Sequence, residues 1–168
     1  LLGGGAVLTS VTLADVAAEM LSFTDSVVEI RVNPGAVAVG HIVLTADTGA
    51  VVTRENGWEF TEQGSVSGIS PRVGQFDTAV TITGTRLRGN GLAVSRGTLL
   101  GVDATIRSQT DNEVVVVADL SNGNSGDLVQ LESESGALVD SNGEFSYIAE
   151  GVVSQVQPAI GQLGTLVT

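Results

Sequence analysis

At 168 residues, with no cysteine, no lysine, and 19 acidic side chains against seven arginines, the chain carries a net charge of −12. This composition excludes disulfides and thiol chemistry and argues against nucleic acid or an anionic membrane as a partner. No stretch approaches the roughly 18–20 apolar residues of a membrane-spanning helix, and no signal peptide is visible; removal of a leader, or excision from a longer chain, would account for that.

Short runs rich in Val, Ile, Thr and Leu are separated by Gly, Asn, Asp and Ser throughout, which predicts an all-β chain. Near the start, Ala14–Leu21 (ADVAAEML) has a helical look. Its counterpart 86 residues on, Leu100–Arg107 (LGVDATIR), reads as a strand, and copies of one unit share a fold, so a strand is expected in both places. Further along, strands are expected near 65–70, 78–83, 92–96, 103–108, 113–118, 127–133 and 144–148. Val80-Thr81-Ile82-Thr83 alternates, as for a strand with one wet face, whereas Glu113–Ala118 (EVVVVA) reads as a strand buried on both faces. Pro71 suits an edge strand or a bend. Gly89-Asn90-Gly91, Asn122-Gly123-Asn124 and Asn142-Gly143 are turn chemistry, because Gly and Asn tolerate positive φ. Seven short strands at this spacing predict a two-sheet sandwich of immunoglobulin-like type.

The chain repeats itself. Gly64–Thr81 (GSVSGISPRVGQFDTAVT) returns as Gly151–Thr168 (GVVSQVQPAIGQLGTLVT), with nine of 18 positions identical at an offset of 87. Ser22, Thr24 and Asp25 match Ser108, Thr110 and Asp111 at an offset of 86. After a one-residue slip, Gly49-Ala50, Trp58 and Phe60 line up with Gly136-Ala137, Phe145 and Tyr147. A fixed period of this size means tandem copies of one small domain. Residues 64–150 are read as a complete repeat. Residues 1–63 are a repeat lacking its first strands, and residues 151–168 are the first strands of a third.

The string Val66–Leu87 (VSGISPRVGQFDTAVTITGTRL) resembles the opening of the IPT/TIG domain: an apolar strand, a Pro, a Gly-rich turn, then V-T-I-x-G-x-x-L. Gly97–Val102 and the closing Phe145-Ser146-Tyr147 fit the same pattern. The resemblance covers the complete repeat and, piecewise, the whole chain. It implies tandem immunoglobulin-like sandwiches, found in cell-surface receptors, in tandem arrays of large extracellular proteins and as accessory modules of polysaccharide enzymes. DNA-binding members use basic loops, which this acidic chain lacks. The family carries no catalytic residues.

A search for reaction chemistry yields little. His41, the only histidine, has Asp127 or Leu128 as its counterpart and is read as a plain strand or surface residue. One histidine cannot build a His-rich metal site, and without Cys or Lys most nucleophile–base pairs are missing. No Gly-x-Ser-x-Gly elbow occurs. Asp140, Asn142 and Glu144 have the alternating oxygen spacing of calcium loops, but a hairpin turn is the plainer reading, as it is for Ser121–Asp127. Trp58, Phe60, Phe145 and Tyr147 are expected in the core, with a sugar-stacking platform as the alternative. No Asn-x-Ser/Thr sequon is present; the many Ser and Thr are candidates for O-linked sugars. No catalytic residue, cofactor or metal is expected.

The phase of the repeats then becomes the main clue. A sandwich without its first strands leaves a sheet edge unpaired, and residues 151–168 are the missing piece by sequence. Insertion into residues 1–63 of the next molecule would be donor-strand complementation, and a head-to-tail contact of this kind propagates into a filament unless it closes into a ring. Val153, Val156, Ile160, Leu163 and Val167 are the expected buried side chains, each worth about 1.5–3 kcal/mol on full burial. The expected partner is therefore another copy of the chain, with glycans as a further candidate, and the expected role is an extracellular fibre or surface stalk. Two alternatives remain: a two-repeat window of a long covalent adhesin-like array, and a carbohydrate-binding or accessory module of a larger secreted protein.

Overall fold

The computed structural model describes residues 1–121, 128–142 and 145–168. Among them every regular element is a strand, and the chain divides into two compact units, Leu1–Glu62 and Gln63–Thr168. The all-β expectation is met, including over Ala14–Leu21: Ala14 and Asp15 form a turn at positive φ, and strands lie on either side of Ala18.

The first unit holds β1 (Leu8–Leu13), β2 (Val16–Ala17), β3 (Glu19–Phe23), β4 (Val28–Arg31), β5 (Ala38–Ala46) and β6 (Val51–Phe60). They form a four-stranded sheet in the order β2-β1-β5-β6 and a separate ribbon, β3-β4. Its core is small. Leu8, Val11 and Leu44 are buried, and Leu2, Met20, Phe23, Val28, Ile30, Ile42 and Val52 pack against them while half-buried.

The second unit holds β7 (Ser65–Ser70), β8 (Val73–Gly74), β9 (Ala79–Thr85), β10 (Val94–Leu99), β11 (Val102–Gln109), β12 (Glu113–Ala118), β13 (Leu128–Ser133), β14 (Leu138–Asn142) and β15 (Ser146–Tyr147). Seven of these make one sheet, ordered β14-β13-β10-β11-β12-β9-β7, and β15 pairs in parallel with β8. The sheet curls until its outermost strands, β14 and β7, touch. Alternation explains which face turns inward. Val80 and Ile82 of β9, Val114 and Val116 of β12, and Val129 and Leu131 of β13 are all fully buried around one core with Leu87, Leu99 and Phe145. The reading of Glu113–Ala118 as buried on both faces holds for one face only. Val115 and Val117 stay half-buried, because a single curled sheet has its core on one side.

The two units share one design, register by register. In the first, β3 and β4 pair Met20 with Ile30 and Glu19 with Arg31; in the second, β11 and β12 pair Ile106 with Val116 and Thr105 with Val117. Both ladders slip at the same place, Met20/Ser22 and Ile106/Ser108. The connecting turns match as well: the Thr24 N–H donates to Val27 O and the Thr110 N–H to Glu113 O, each at 2.7 Å. Likewise Val11–Leu44 corresponds to Gly97–Leu131. The Ala14 and Leu100 N–H groups donate to the carbonyls of His41 and Leu128, each at 2.9 Å, which makes Leu128 the counterpart of His41. The one-residue slip therefore falls before His41.

Candidate functional site

The most distinctive surface of the second unit is its last segment. Residues 151–168 are exposed throughout and contain no charged side chain in an otherwise acidic chain. The segment is folded back on itself. Gln157 and Thr168 exchange both backbone hydrogen bonds at 2.9 Å, and the Thr168 hydroxyl also donates to Gln157 O at 3.3 Å. At the bend, the Gln162 N–H donates to Thr165 Oγ1 at 2.8 Å and the Thr165 N–H to Gln162 O at 3.0 Å.

This is the geometry of the β7–β9 hairpin 87 residues earlier. There Ser70 lies opposite Thr81, the Gln75 N–H donates to Thr78 Oγ1 at 3.0 Å and the Thr78 N–H donates to Gln75 O at 3.1 Å. The glycine of each bend is required by contact. A Cβ on Gly74 would stand 2.8 Å from Thr78 Cγ2, and one on Gly161 would stand 2.8 Å from the Thr165 side chain. The repeat in sequence is thus a repeat in shape.

Burial separates the two copies. Ile69 and Val80 are 5% and 0% exposed, whereas their counterparts Val156 and Val167 are 50% and 57% exposed. Val66 is half-buried against the core, and its counterpart Val153 stands free. Ile160 and Leu163 occupy the positions of Val73 and Phe76, which are about half exposed even where the hairpin is fully seated.

A second feature lies on the first unit. Strand β12 is flanked by β11 and β9, whereas among the described residues its counterpart β4 pairs with β3 alone. Val28 and Ile30 point toward the small core yet are only half-buried, and Val27 and Val32 beside them are exposed. The charges on this strand are contained: Arg31 bridges Glu19 at 3.3 Å, and the Ser22 hydroxyl donates to Glu29 Oε2 at 3.1 Å. Inspection of the sequence for chemistry passes over Val28 and Ile30. The 86-residue offset that aligns Val27–Val32 with EVVVVA is the signal that finds them.

The remaining sequence candidates are placed as follows. The His41 Nδ1 accepts the Asn56 N–H at 3.2 Å on the β5–β6 ribbon, a strand role. Asp140 sits on β14, where it accepts the Gln130 amide at 2.9 Å across to β13. Gly143 and Glu144, and residues 122–127, lie outside the described residues, and with them parts of both candidate calcium loops. Among the described residues no group of three His, Cys, Asp or Glu gathers to hold a metal ion. The aromatics pack edge to face, Trp58 on Phe60 at 5.9 Å and Phe145 on Tyr147 at 5.2 Å, with Phe60 and Phe145 buried. Burial pushes the Tyr147 hydroxyl above its ordinary range, and the nearby Asp119 adds to this. The second unit also carries a shallow, open depression of about 320 Å³ lined by Phe76, Asp77, Thr105, Val117, Ala118 and Asp119.

No family model matches the chain, and no curated protein does. Some solved structures align with parts of the chain. An auxiliary nutrient-binding protein of Bacteroides thetaiotaomicron aligns with 52% of the chain at 20% identity and a TM-score of 0.42. A glucan-locus protein of Bacteroides ovatus, solved with a mixed-linkage heptasaccharide, aligns with 83% at 19% identity and a TM-score of 0.37. A protein from a xyloglucan utilization locus of Bacteroides uniformis aligns with 85% at 15% identity and a TM-score of 0.37. The chain spans 21%, 38% and 43% of those three proteins. Among the described residues no helix is long and apolar enough to cross a membrane.

Proposed function

We propose that the chain is a non-catalytic structural subunit of an extracellular fibre or surface stalk, built of IPT/TIG-like sandwiches. Residues 151–168 of one copy complete the first unit of the next. One observation supports this reading: residues 151–168 are folded as a β7–β9 hairpin with their apolar side chains exposed, and among the described residues β4 of the first unit pairs with β3 on one edge only. Joining an extended segment to such an edge gains main-chain hydrogen bonds and side-chain burial together. The second unit cannot compete as acceptor, because its own β9 already occupies β12. A contact between this hairpin and the first unit of another copy would be heterologous. Light scattering of the chain beside a version ending at Glu150 tests this. Large particles that fall to monomer mass on truncation are expected; equal monomer mass for both would overturn the non-covalent joint and leave the same joint made within a covalent array.

A second reading, a glycan-binding accessory module of a larger secreted protein, has the depression around Phe76 in its favour, where an exposed aromatic face stands beside two carboxylates. Two of the partly similar solved structures are a protein held with an oligosaccharide and one from a glycan utilization locus. Titration calorimetry with mixed-linkage glucan and xyloglucan oligosaccharides tests it: saturable heat that disappears on Phe76→Ala would establish the site, and no heat would remove it.

A further inference from the structure

We infer that the depression on the second unit receives the guanidinium of an arginine carried by a partner protein, stacked on Phe76 and paired with Asp77 and Asp119. Main-chain bonds set its walls. The Asp77 N–H donates to Ala118 O and the Ala118 N–H to Thr78 O, each at 2.9 Å, so the bend after β8 is fixed against the end of β12. Thr105 of β11 lies directly opposite Val117 of β12. Opposite residues share a face of the sheet, and this face is the outer one, because Val116 and Ala118 on either side of Val117 are buried. Val117 and Ala118 supply apolar contact, Phe76 a ring that is 47% exposed, and Asp77 and Asp119 exposed charge.

The first unit shows what fits in this place. Its matching rung pairs Glu19 with Arg31, and the Arg31 guanidinium stands 3.3 Å from the Glu19 carboxylate. In the second unit the same rung is Thr105 and Val117, both short, and the surface sinks into the depression of about 320 Å³. Carboxylates remain beside it, but the guanidinium does not. No arginine lines the depression, and among the described residues none forms an ion pair with Asp77 or Asp119. The net charge of −12 adds a field that draws cations and repels anions. Small-molecule sites bury most of their ligand, whereas this depression is shallow and open, which suits a side chain presented by a larger surface. A planar guanidinium can stack on an aromatic ring and bond carboxylates at its edge, whereas a lysine ammonium is a compact, strongly hydrated point charge.

Ligand-observed saturation-transfer NMR tests this on the full chain, because the signal is read on the probe whatever the size of the particle. The probe is acetyl-arginine methylamide, compared with its neutral isostere acetyl-citrulline methylamide and with methylguanidinium. The expected result is transfer to the arginine side-chain protons that weakens with added salt and is about threefold or more weaker for citrulline. Asp77→Asn together with Asp119→Asn should remove the preference for arginine. This pair keeps the shape of the rim, since Asn tolerates the left-handed φ at position 77 and can still accept the Leu120 N–H. Thr105→Glu together with Val117→Arg rebuilds the first unit's ion pair in the depression and should block the probe. Equal transfer to arginine and citrulline, no transfer to either, or a preference that survives both carboxylate-to-amide changes would overturn the guanidinium site. Methylguanidinium bound as well as the capped arginine would overturn the partner side chain as its source. Transfer to a mixed-linkage glucan oligosaccharide that is lost with Phe76→Ala, while arginine gains none, would overturn the inference in favour of the glycan reading.

Discussion

Strands β4 and β12 occupy the same place in two copies of one fold, yet they end differently. Both pair with the preceding strand in the same register and with the same slip. Val114 and Val116 of β12, which pairs with β9, are sealed at 0% exposure, whereas Val28 and Ile30 of β4 remain half-buried. The hairpins repeat the contrast from the other side, since Val80 is sealed and Val167 is not. Burial of a β-residue is thus decided less by its own strand than by the strand that lies beside it. The second unit makes the β9–β12 pairing within itself, and in the proposed assembly the hairpin 151–168 and β4 would make its counterpart.

Paired substitutions break this comparison most sharply. Val80→Asp puts an unpaired charge in the sealed core and is expected to destabilise the second unit by about 4 kcal/mol or more, read by urea unfolding. Val167→Asp alters the matching position on the exposed hairpin. It should move unfolding by no more than about 0.5 kcal/mol while abolishing particle growth. Similar loss of stability in both variants would mean that the hairpin is buried within its own chain.

The glycines at the two bends give a smaller effect. Gly74→Ala forces a methyl against Thr78 in a packed unit and should cost about 1–3 kcal/mol. Gly161→Ala meets the same crowding in the free hairpin, so unfolding of the second unit should be unchanged and assembly weakened.

Smaller still is the effect of pH at the closing aromatic. Tyr147 is the only tyrosine and its first-unit counterpart is Phe60, so tyrosinate absorbance reports the second unit alone. Burial, and then Asp119, raise its folded pKa above the ordinary tyrosine value of 10.0. The folded state therefore keeps its proton longer than the unfolded chain. Stability from this group is fully present below pH 10.0 and is lost as pH climbs from there through the folded pKa. A tyrosinate midpoint no higher in the folded protein than in urea would contradict this. The smallest effect is expected from Arg96→Ala. Its bridge to Asp103 at 2.6 Å is more than half exposed on both sides, so the loss should be about 0–1 kcal/mol.

Much of this was legible in the sequence. Ser65–Ser70 and Glu113–Ala118 are strands at the residues where apolar periodicity places them, and the offsets of 86 and 87 recur as matching ladders. Two strands escaped. Val73–Gly74 is too short to show a period and exists only because Ser146–Tyr147, far along the chain, lies parallel to it. Leu138–Asn142 (LVDSN) was hidden by its polar half, which reads as turn or calcium chemistry until β13 is seen to pair with it. The site divides in the same way. The five apolar residues of the hairpin stand out by composition, but which of them face inward depends on counterparts whose burial no sequence displays. The β4 edge is invisible for the same reason: VEIR looks like any strand, and which strands lie beside it is a property of the fold.

The most direct test compares the amide hydrogen exchange of Val28–Arg31 in the assembled chain and in the version ending at Glu150. Exchange slows when an edge amide gains a partner strand. The account predicts that β4 in the full chain approaches the protection of Val114–Val117, and that this protection disappears on truncation while β12 is unaffected. Equal, fast exchange of β4 in both forms would contradict the claim that residues 151–168 complete the first unit.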